Sequence, residues 1–451
     1  MELVHFRSDN PEVNVAYYTA MSDLIANIKP YYGGILPEEK EVIIAGIGYY
    51  TPWTRDASIN TLNAGDYLFP EISKNTLESV LKEENGRLYI GGEYWDAIIW
   101  AWGAWEYYRY TKDADFLKKA YEAAANSLAF FEATEFDAEK NLFRGAACYG
   151  DGVAAYPDIY TVPGNSGIIA FARERKDLCA KQGVGLPMMT LSTNCLYYKA
   201  YVVADQMAAE LGKPQQFAEK AQRMKAAINR HFWMEEQGRY RYLLDPFGGC
   251  DSMEGMGNAF VILFGIADET QIQKVLENQH ITVCGIPCVW PSFSRYDSKD
   301  GMSFGRHSGT IWPHIQSFWA DAALHHGRSD LFDLEFKNLT AWSVRDGHFA
   351  EIYHPITGEI YGGVQEDWQS NRIRLWKSEH KQTWSATGYL HMIFADILGL
   401  QINGDQISFS PYLPEGITSL EVSGLLIRGK RYRVHVTGAG RDTKAEVSIL
   451  E

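Results

Sequence analysis

The chain has no apolar run long enough to cross a bilayer, so no membrane-spanning helix is expected. Its first ten residues lack the basic segment followed by an apolar stretch that marks a secretory leader. A natural start at residue 1 implies the cytoplasm, although a trimmed leader would leave the same sequence. Cysteine is sparse. The six residues Cys148, Cys179, Cys195, Cys250, Cys284 and Cys288 have no zinc-ribbon spacing and no adjacent histidine, so buried or free thiols are expected. Positive charge is in deficit: 42 basic against 57 acidic residues leave −15 at neutral pH. Nucleic acid and an anionic membrane would each demand a basic face, so neither is an expected partner, and a small neutral substrate suits the balance better. Also missing are a Gly-x-Gly-x-x-Gly loop, a Walker loop and a Gly-x-Ser-x-Gly elbow, and no histidine spacing reads as a metal site. Neither a metal nor an organic cofactor is expected.

What the chain does have is aromatic rings: 13 Trp, 27 Tyr and 21 Phe. A thick helical core accounts for many of them. Others sit where loops turn into helices, where indole and phenol faces can pack on the C–H faces of sugars. Apolar stripes at helical spacing predict helices over 113–132, 193–211, 214–233, 312–326 and 329–344. Residues 98–110 (Ile-Ile-Trp-Ala-Trp-Gly-Ala-Trp-Glu-Tyr-Tyr-Arg-Tyr) are apolar nearly all round, as in a helix touching protein on every side. Alternation of one-faced and all-round helices predicts an inner and an outer ring, a mainly α toroid of helical hairpins. Short alternating segments at 87–90, 141–144 and 239–244 read as small hairpins at its active end. After about residue 400 the texture becomes strand-like, at 406–409, 420–422, 425–428, 431–436 and 445–449. The expected division is a helical domain over 1–400 and a β segment over 401–451 packed on it.

Two acids stand out. Asp151 lies in Tyr149-Gly-Asp151-Gly-Val-Ala-Ala-Tyr156-Pro157, and Glu351 in Ala-Glu351-Ile-Tyr353-His-Pro355-Ile-Thr-Gly358. A plain turn accounts for Asp between glycines, and a solvated loop accounts for Glu351. Against that, two loop acids flanked by aromatics are what glycosidic hydrolysis needs, one to protonate the leaving oxygen and one to activate water. Flanking glycines would let a ligand approach the Asp151 backbone closely. Glu359, Glu366 and Asp367 rival Glu351 for the base, and the charged stretch 365–381 reads as an exposed flap. Trp53-Thr-Arg55-Asp56, Tyr94-Trp95-Asp96 and Thr310-Ile-Trp312-Pro313 each put a Trp at a helix start, which suggests a shared rim.

Taken in order, these segments, with Ser192-Thr-Asn194 and Thr383-Trp384-Ser385-Ala386, resemble the (α/α)6-barrel inverting glycosidases. The likeness is nearest to the family 63 group of processing α-glucosidases and mannosylglycerate hydrolases. Trehalases and the glucosidase half of glycogen debranching enzyme are more distant, and the resemblance covers most of residues 50–400. It implies an (α/α)6 toroid with small active-end hairpins and a short C-terminal β segment. It also implies Asp151 as general acid, Glu351 as general base and Asp56 as a holder of sugar hydroxyls. Substrate contacts are expected from Trp53, Arg55, Asp56, Trp95, Asp96, Tyr149, Tyr156, His307, Trp312, Tyr353, Gln365 and Trp384. Inversion would set the two carboxyls roughly 6.5–9.5 Å apart, leaving room for a water. The chain departs from the pattern at Ser308, where relatives tend to carry arginine, and between Gly363 and Trp384, which is longer. The expected activity is inverting hydrolysis of an α-linked glucosyl or mannosyl compound. The alternatives are a glycoside phosphorylase, an epimerase using His307 and His380, and a non-catalytic oligosaccharide binder. Oligomeric state stays open.

Overall fold

The computed structural model describes residues 3–370 and 372–450. Twelve of its helices form two concentric rings. In chain order they are α1 (Pro11–Ala26), α2 (54–68), α3 (Pro70–Glu78), α4 (Ile99–Thr111), α5 (Ala114–Thr134), α6 (Leu191–Glu210), α7 (Ala218–Phe232), α8 (Gly255–Leu263), α9 (Glu269–Asn278), α10 (Pro313–His325), α11 (Ser329–Asp346) and α12 (383–397). The even-numbered helices pack each on the next, and α12 returns to α2, closing the inner ring. Burial follows the sequence pattern. Helix α7 buries only Ala221, Met224, Ala227, Ile228 and Phe232 along one stripe, whereas every residue of α6 from Leu191 to Tyr198 is buried. The toroid anticipated from alternating helix types is present, with α5 capped by Asp113, whose carboxylate accepts the Asp115 and Phe116 N–H groups.

The connections are unequal, and this positions the site. Those from an inner to the following outer helix are short, such as 112–113 and 326–328, whereas those from outer to inner run to 135–190, 279–312 and 347–382. All the long ones therefore gather where the inner helices begin. They carry two-stranded hairpins, including Leu81–Glu84 with Arg87–Ile90 and Val364–Glu366 with Ile373–Leu375. The segment expected as one strand over 239–244 is two, Arg239–Tyr240 pairing with Trp233–Met234 and Leu243–Leu244 with Met189–Thr190.

The C-terminal strands form an antiparallel sheet in the order His5–Ser8, Ser419–Ile427, Lys430–Ala439, Asp442–Leu450. Segments 420–422 and 425–428 fuse across a bulge at Gly424, whose φ of 90° favours glycine. The strand from residues 5–8 had no counterpart in the sequence reading. Phe6, Leu420, Val422 and Val434 join Tyr17, Tyr67 and Phe394 of the helices in one apolar cluster, which seats the sheet on the barrel.

Glu254, the residue just before α8, is fully buried; its Oε2 accepts the Ser192 N–H at 3.0 Å while Oε1 has no hydrogen-bond partner among the described residues. Burial pushes its carboxyl up to about 8, against the opposing pull of Ser192. Between the ordinary value of 4.5 and about 8 the folded state holds a proton the unfolded chain has released. Stability therefore falls as pH rises through this window, by about 1.4 kcal/mol per pH unit for one such proton. Glu254→Gln is expected to flatten that slope in urea unfolding measured at pH 5, 6, 7 and 8.

Candidate active site

A cavity of about 380 Å³ opens among the long connections. Both Asp151 and Glu351 line it, as do Trp53, Arg55, Asp56, Trp95, Asp96, Tyr149, His307, Trp312, Gln365 and Trp384. Two expected contacts do not. Tyr156 is fully buried behind the Asp151 loop, where its hydroxyl accepts the Ala147 N–H at 2.9 Å and donates to the Gly150 carbonyl. Tyr353 is also fully buried and stacks on Trp342 with centroids 4.4 Å apart. Both are aromatics of the expected type that pack behind a cavity loop.

Glu351 is positioned by the backbone around it. Ile311 and Tyr353 exchange hydrogen bonds of 3.0 and 2.9 Å, tying the Glu351 segment to the chain entering α10 at Trp312. The Pro355–Gly358 turn is closed by the His354 ring, whose Nδ1 accepts the N–H groups of Ile356 and Thr357. The carboxylate itself is 3% exposed and ion-paired with Arg306 at 2.7 Å. It also accepts the Tyr49 hydroxyl at 3.1 Å and the Glu379 N–H at 3.3 Å. Its sequence rivals lie elsewhere: Glu366 bonds Arg295 and Tyr296, Glu359 faces Arg345, and Asp367 faces Arg374. None of the three lines the cavity.

Asp151 differs in kind. Its side chain is 64% exposed, facing the open cavity, with His307 Nε2 3.6 Å from Oδ1. Burial of the surrounding site pushes its carboxyl up, but the cations Arg55 and Arg306 outweigh that and hold it below the usual Asp range. The flanking glycines are small for a reason other than ligand approach. A Cβ on Gly152 would strike Gln365 Oε1 and the His307 ring, and one on Gly150 would meet the Tyr156 hydroxyl at 2.6 Å. Protein side chains crowd both positions.

The cavity wall is made of two guanidinium–indole stacks. Arg55 lies 5.3 Å from the Trp384 ring, which stacks on His314 at 4.1 Å; Arg306 lies 5.6 Å from Trp312, which stacks on His307 at 4.9 Å. Arg55 also reaches Asp96 at 3.3 Å and Asp56 at 3.8 Å. Burial pushes both of these acids up to about 7 despite Arg55. Burial holds His307 down near 3, so its ring is neutral. Trp53 has a left-handed backbone, φ 51°, where a bulky side chain is strained by about 1–3 kcal/mol, and its ring is 56% exposed at the cavity wall.

Sequence reasoning missed Tyr49, Glu93, Arg306, Trp376 and Gln382, all of which line the cavity. Arg306 had a signal: it lies two residues before Ser308, the position where an arginine was expected and absent.

A family model described as the mannosylglycerate hydrolase MGH1-like glycoside hydrolase domain matches residues 97–385, and one described as the C-terminal domain of glycosyl hydrolase family 65 matches 400–445. No curated protein matches the sequence. Among solved structures, the GH78 family rhamnosidase of Bacillus sp. GL1 is similar over 100% of this chain and 42% of its own length, with a TM-score of 0.67 and 17% identity. A sialidase is similar over 99% of this chain and 40% of its own, with a TM-score of 0.70 and 12% identity. The GH63 mannosylglycerate hydrolase from Thermus thermophilus in complex with glucose is similar over 84% of this chain and 99% of its own, with a TM-score of 0.58 and 14% identity. The chain thus spans about two fifths of the first two, and at these identities the likeness establishes the fold alone. The family model spans more than half of the 451 residues, and on that ground the chain belongs to the mannosylglycerate hydrolase MGH1-like glycoside hydrolases.

Proposed function

We propose that this protein hydrolyses a small, neutral, α-linked glucosyl or mannosyl glycoside with inversion, Asp151 protonating the leaving oxygen and Glu351 taking a proton from water. One observation carries the sugar reading. Trp95 Nε1, Asp96 Oδ1, both amide atoms of Gln382 and Trp384 Nε1 are buried polar atoms of cavity residues with no hydrogen-bond partner among the described residues. Buried polar groups are rarely left unpaired, and a polyhydroxylated ring supplies donors and acceptors in that density. Five carboxyl groups, from Asp56, Glu93, Asp96, Asp151 and Glu351, face two guanidinium groups, Arg55 and Arg306. That excess of negative charge favours a neutral glycoside over one bearing a carboxylate.

The division of roles rests on the two environments. The ion pair with Arg306 is a contact of the ionised Glu351, the form a base uses. Asp151 projects into the cavity, where a leaving oxygen would sit. In the free enzyme its carboxyl lies low, so its protonated fraction shrinks as pH rises above that value. Since kcat/KM reports the free enzyme, it is expected to decline steadily as pH rises toward neutrality. A sugar seated between Asp151 and the two arginines screens them, which moves the decline in kcat to higher pH. NMR of the first-formed sugar is expected to give the inverted anomer, and a retained anomer would end the proposal.

A second arrangement has one observation in its favour. Asp56 and Asp96 are held near 7, where a general acid works best. An activated aryl leaving group separates the two, because only a variant lacking the true acid is rescued by it. A phosphorylase is less favoured, since Arg55 and Arg306 are each engaged with carboxylates. An epimerase is less favoured too, since His380 faces His348 at 2.9 Å and does not line the cavity.

Trp53→Gly relieves the left-handed strain and removes a platform at the cavity wall. It is expected to raise KM about 10-fold, the effect of losing one to two kcal/mol of ring contact, with a smaller change in kcat and no loss of thermal stability.

A further inference from the structure

Far from the cavity, two inner helices bring together a second group of titratable side chains that the proposed chemistry does not use. Asp321 and His325 lie one turn apart on α10, and Asp396 lies on the π-helical turn Met392–Ile397 that ends α12. One ligand atom from each of the three falls within 4.8 Å of the others. Helix α10 starts beside Trp312 in the cavity and reaches His325 twelve residues later, about 18 Å along its axis. The group therefore sits at the opposite end of the barrel.

Asp396 gives the cluster its direction. It is 3% exposed, its carboxyl faces that of Asp321, and neither of its oxygens has an N–H or hydroxyl donor among the described residues. A buried unpaired carboxylate is costly and calls for a cation or a proton. His391 lies behind the cluster, its Nε2 3.4 Å from Asp321 Oδ2, in the manner of an outer residue that orients a ligating carboxylate. His325 is half exposed, so the group opens to solvent on one side. The π turn itself widens the helix by one residue where Asp396 points inward, a distortion that recurs at functional positions.

We propose that Asp321, His325 and Asp396 form a binding site for a divalent transition-metal ion, with Zn2+ as the fitting probe, that clamps α10 to α12 at the closed end of the barrel. One imidazole and two carboxylates are the donor set of a first-row divalent ion that keeps water in its remaining positions. The role is structural, because no group of the cavity belongs to the cluster.

The test is Zn2+ titration of the chelator-treated full chain by calorimetry, with thermal unfolding in parallel. The wild type is expected to bind one ion at this site and to unfold at a higher temperature with Zn2+ present. His325→Ala, a change at a half-exposed position that leaves the fold intact, and Asp396→Asn are each expected to weaken binding at least 10-fold. Turnover of an aryl glycoside by the His325→Ala protein should match the wild type. The pair His348 and His380, with ring nitrogens 2.9 Å apart, offers Zn2+ a competing contact. Binding lost in His348→Ala but kept in His325→Ala would overturn the proposal. Equal affinity in wild type, His325→Ala and Asp396→Asn would also overturn it, leaving a proton shared between Asp321 and Asp396.

Discussion

Glu351→Gln is expected to lower kcat by about 10²–10⁴-fold while the protein stays folded, because an amide cannot take the proton from water. The side chain keeps its shape, and its carbonyl oxygen can still accept from Arg306 or Tyr49. Substrate affinity should change far less than turnover, since the lost group acts on water and not on the sugar. Azide or formate, small anions that fit where the carboxylate was, would restore part of the rate and yield an inverted product. Unchanged turnover in Glu351→Gln would remove the base from the scheme. The circular dichroism of the variant guards against the trivial result, because Arg306 loses a charged partner while 12% of its side chain is exposed.

Asp151→Asn is expected to lose a similar factor on an alkyl glycoside and much less on a dinitrophenyl glycoside, whose leaving oxygen needs no proton. That contrast is the signature of the acid, and Asp56→Asn should show no such dependence on the leaving group. The alkaline decline of kcat/KM should vanish with Asp151, because its ionisation causes the decline. In wild type the acid must be protonated, and the cations Arg55 and Arg306 favour the ionised form, so acid pH favours activity.

The fold was legible because its two rings bury helices differently. The 98–110 run could only be an inner helix, and the stripes of α5, α7 and α11 could only be outer ones. Six of the ten expected residues that line the cavity, Trp53, Asp56, Trp95, Asp96, Trp312 and Trp384, could be placed for a similar local reason: a Trp or an acid at the start of a helix faces the end where the long loops gather. What the sequence hid depends on contacts between distant segments. Arg306 reaches Glu351 across 45 residues and Tyr49 reaches it across 302, and no spacing rule encodes either. Tyr156 and Tyr353 misled because an aromatic beside a cavity acid serves equally well as a prop behind the loop. Asp321 and His325 stand four apart on one helix, but Asp396 joins them only through the packing of α12, so the sequence shows no metal-type histidine spacing there.

A ring wound from one chain has a seam, where α12 meets α2 and α1. Glu351 and Trp384 lie on one side of that seam, Tyr49 and Arg55 on the other, and the Tyr49–Glu351 hydrogen bond and the Arg55–Trp384 stack cross it. Strand His5–Ser8, paired with Ser419–Ile427, staples the beginning of the chain to its end just behind that joint. The β appendage, which holds no cavity residue, thereby keeps the two halves of the pocket in register.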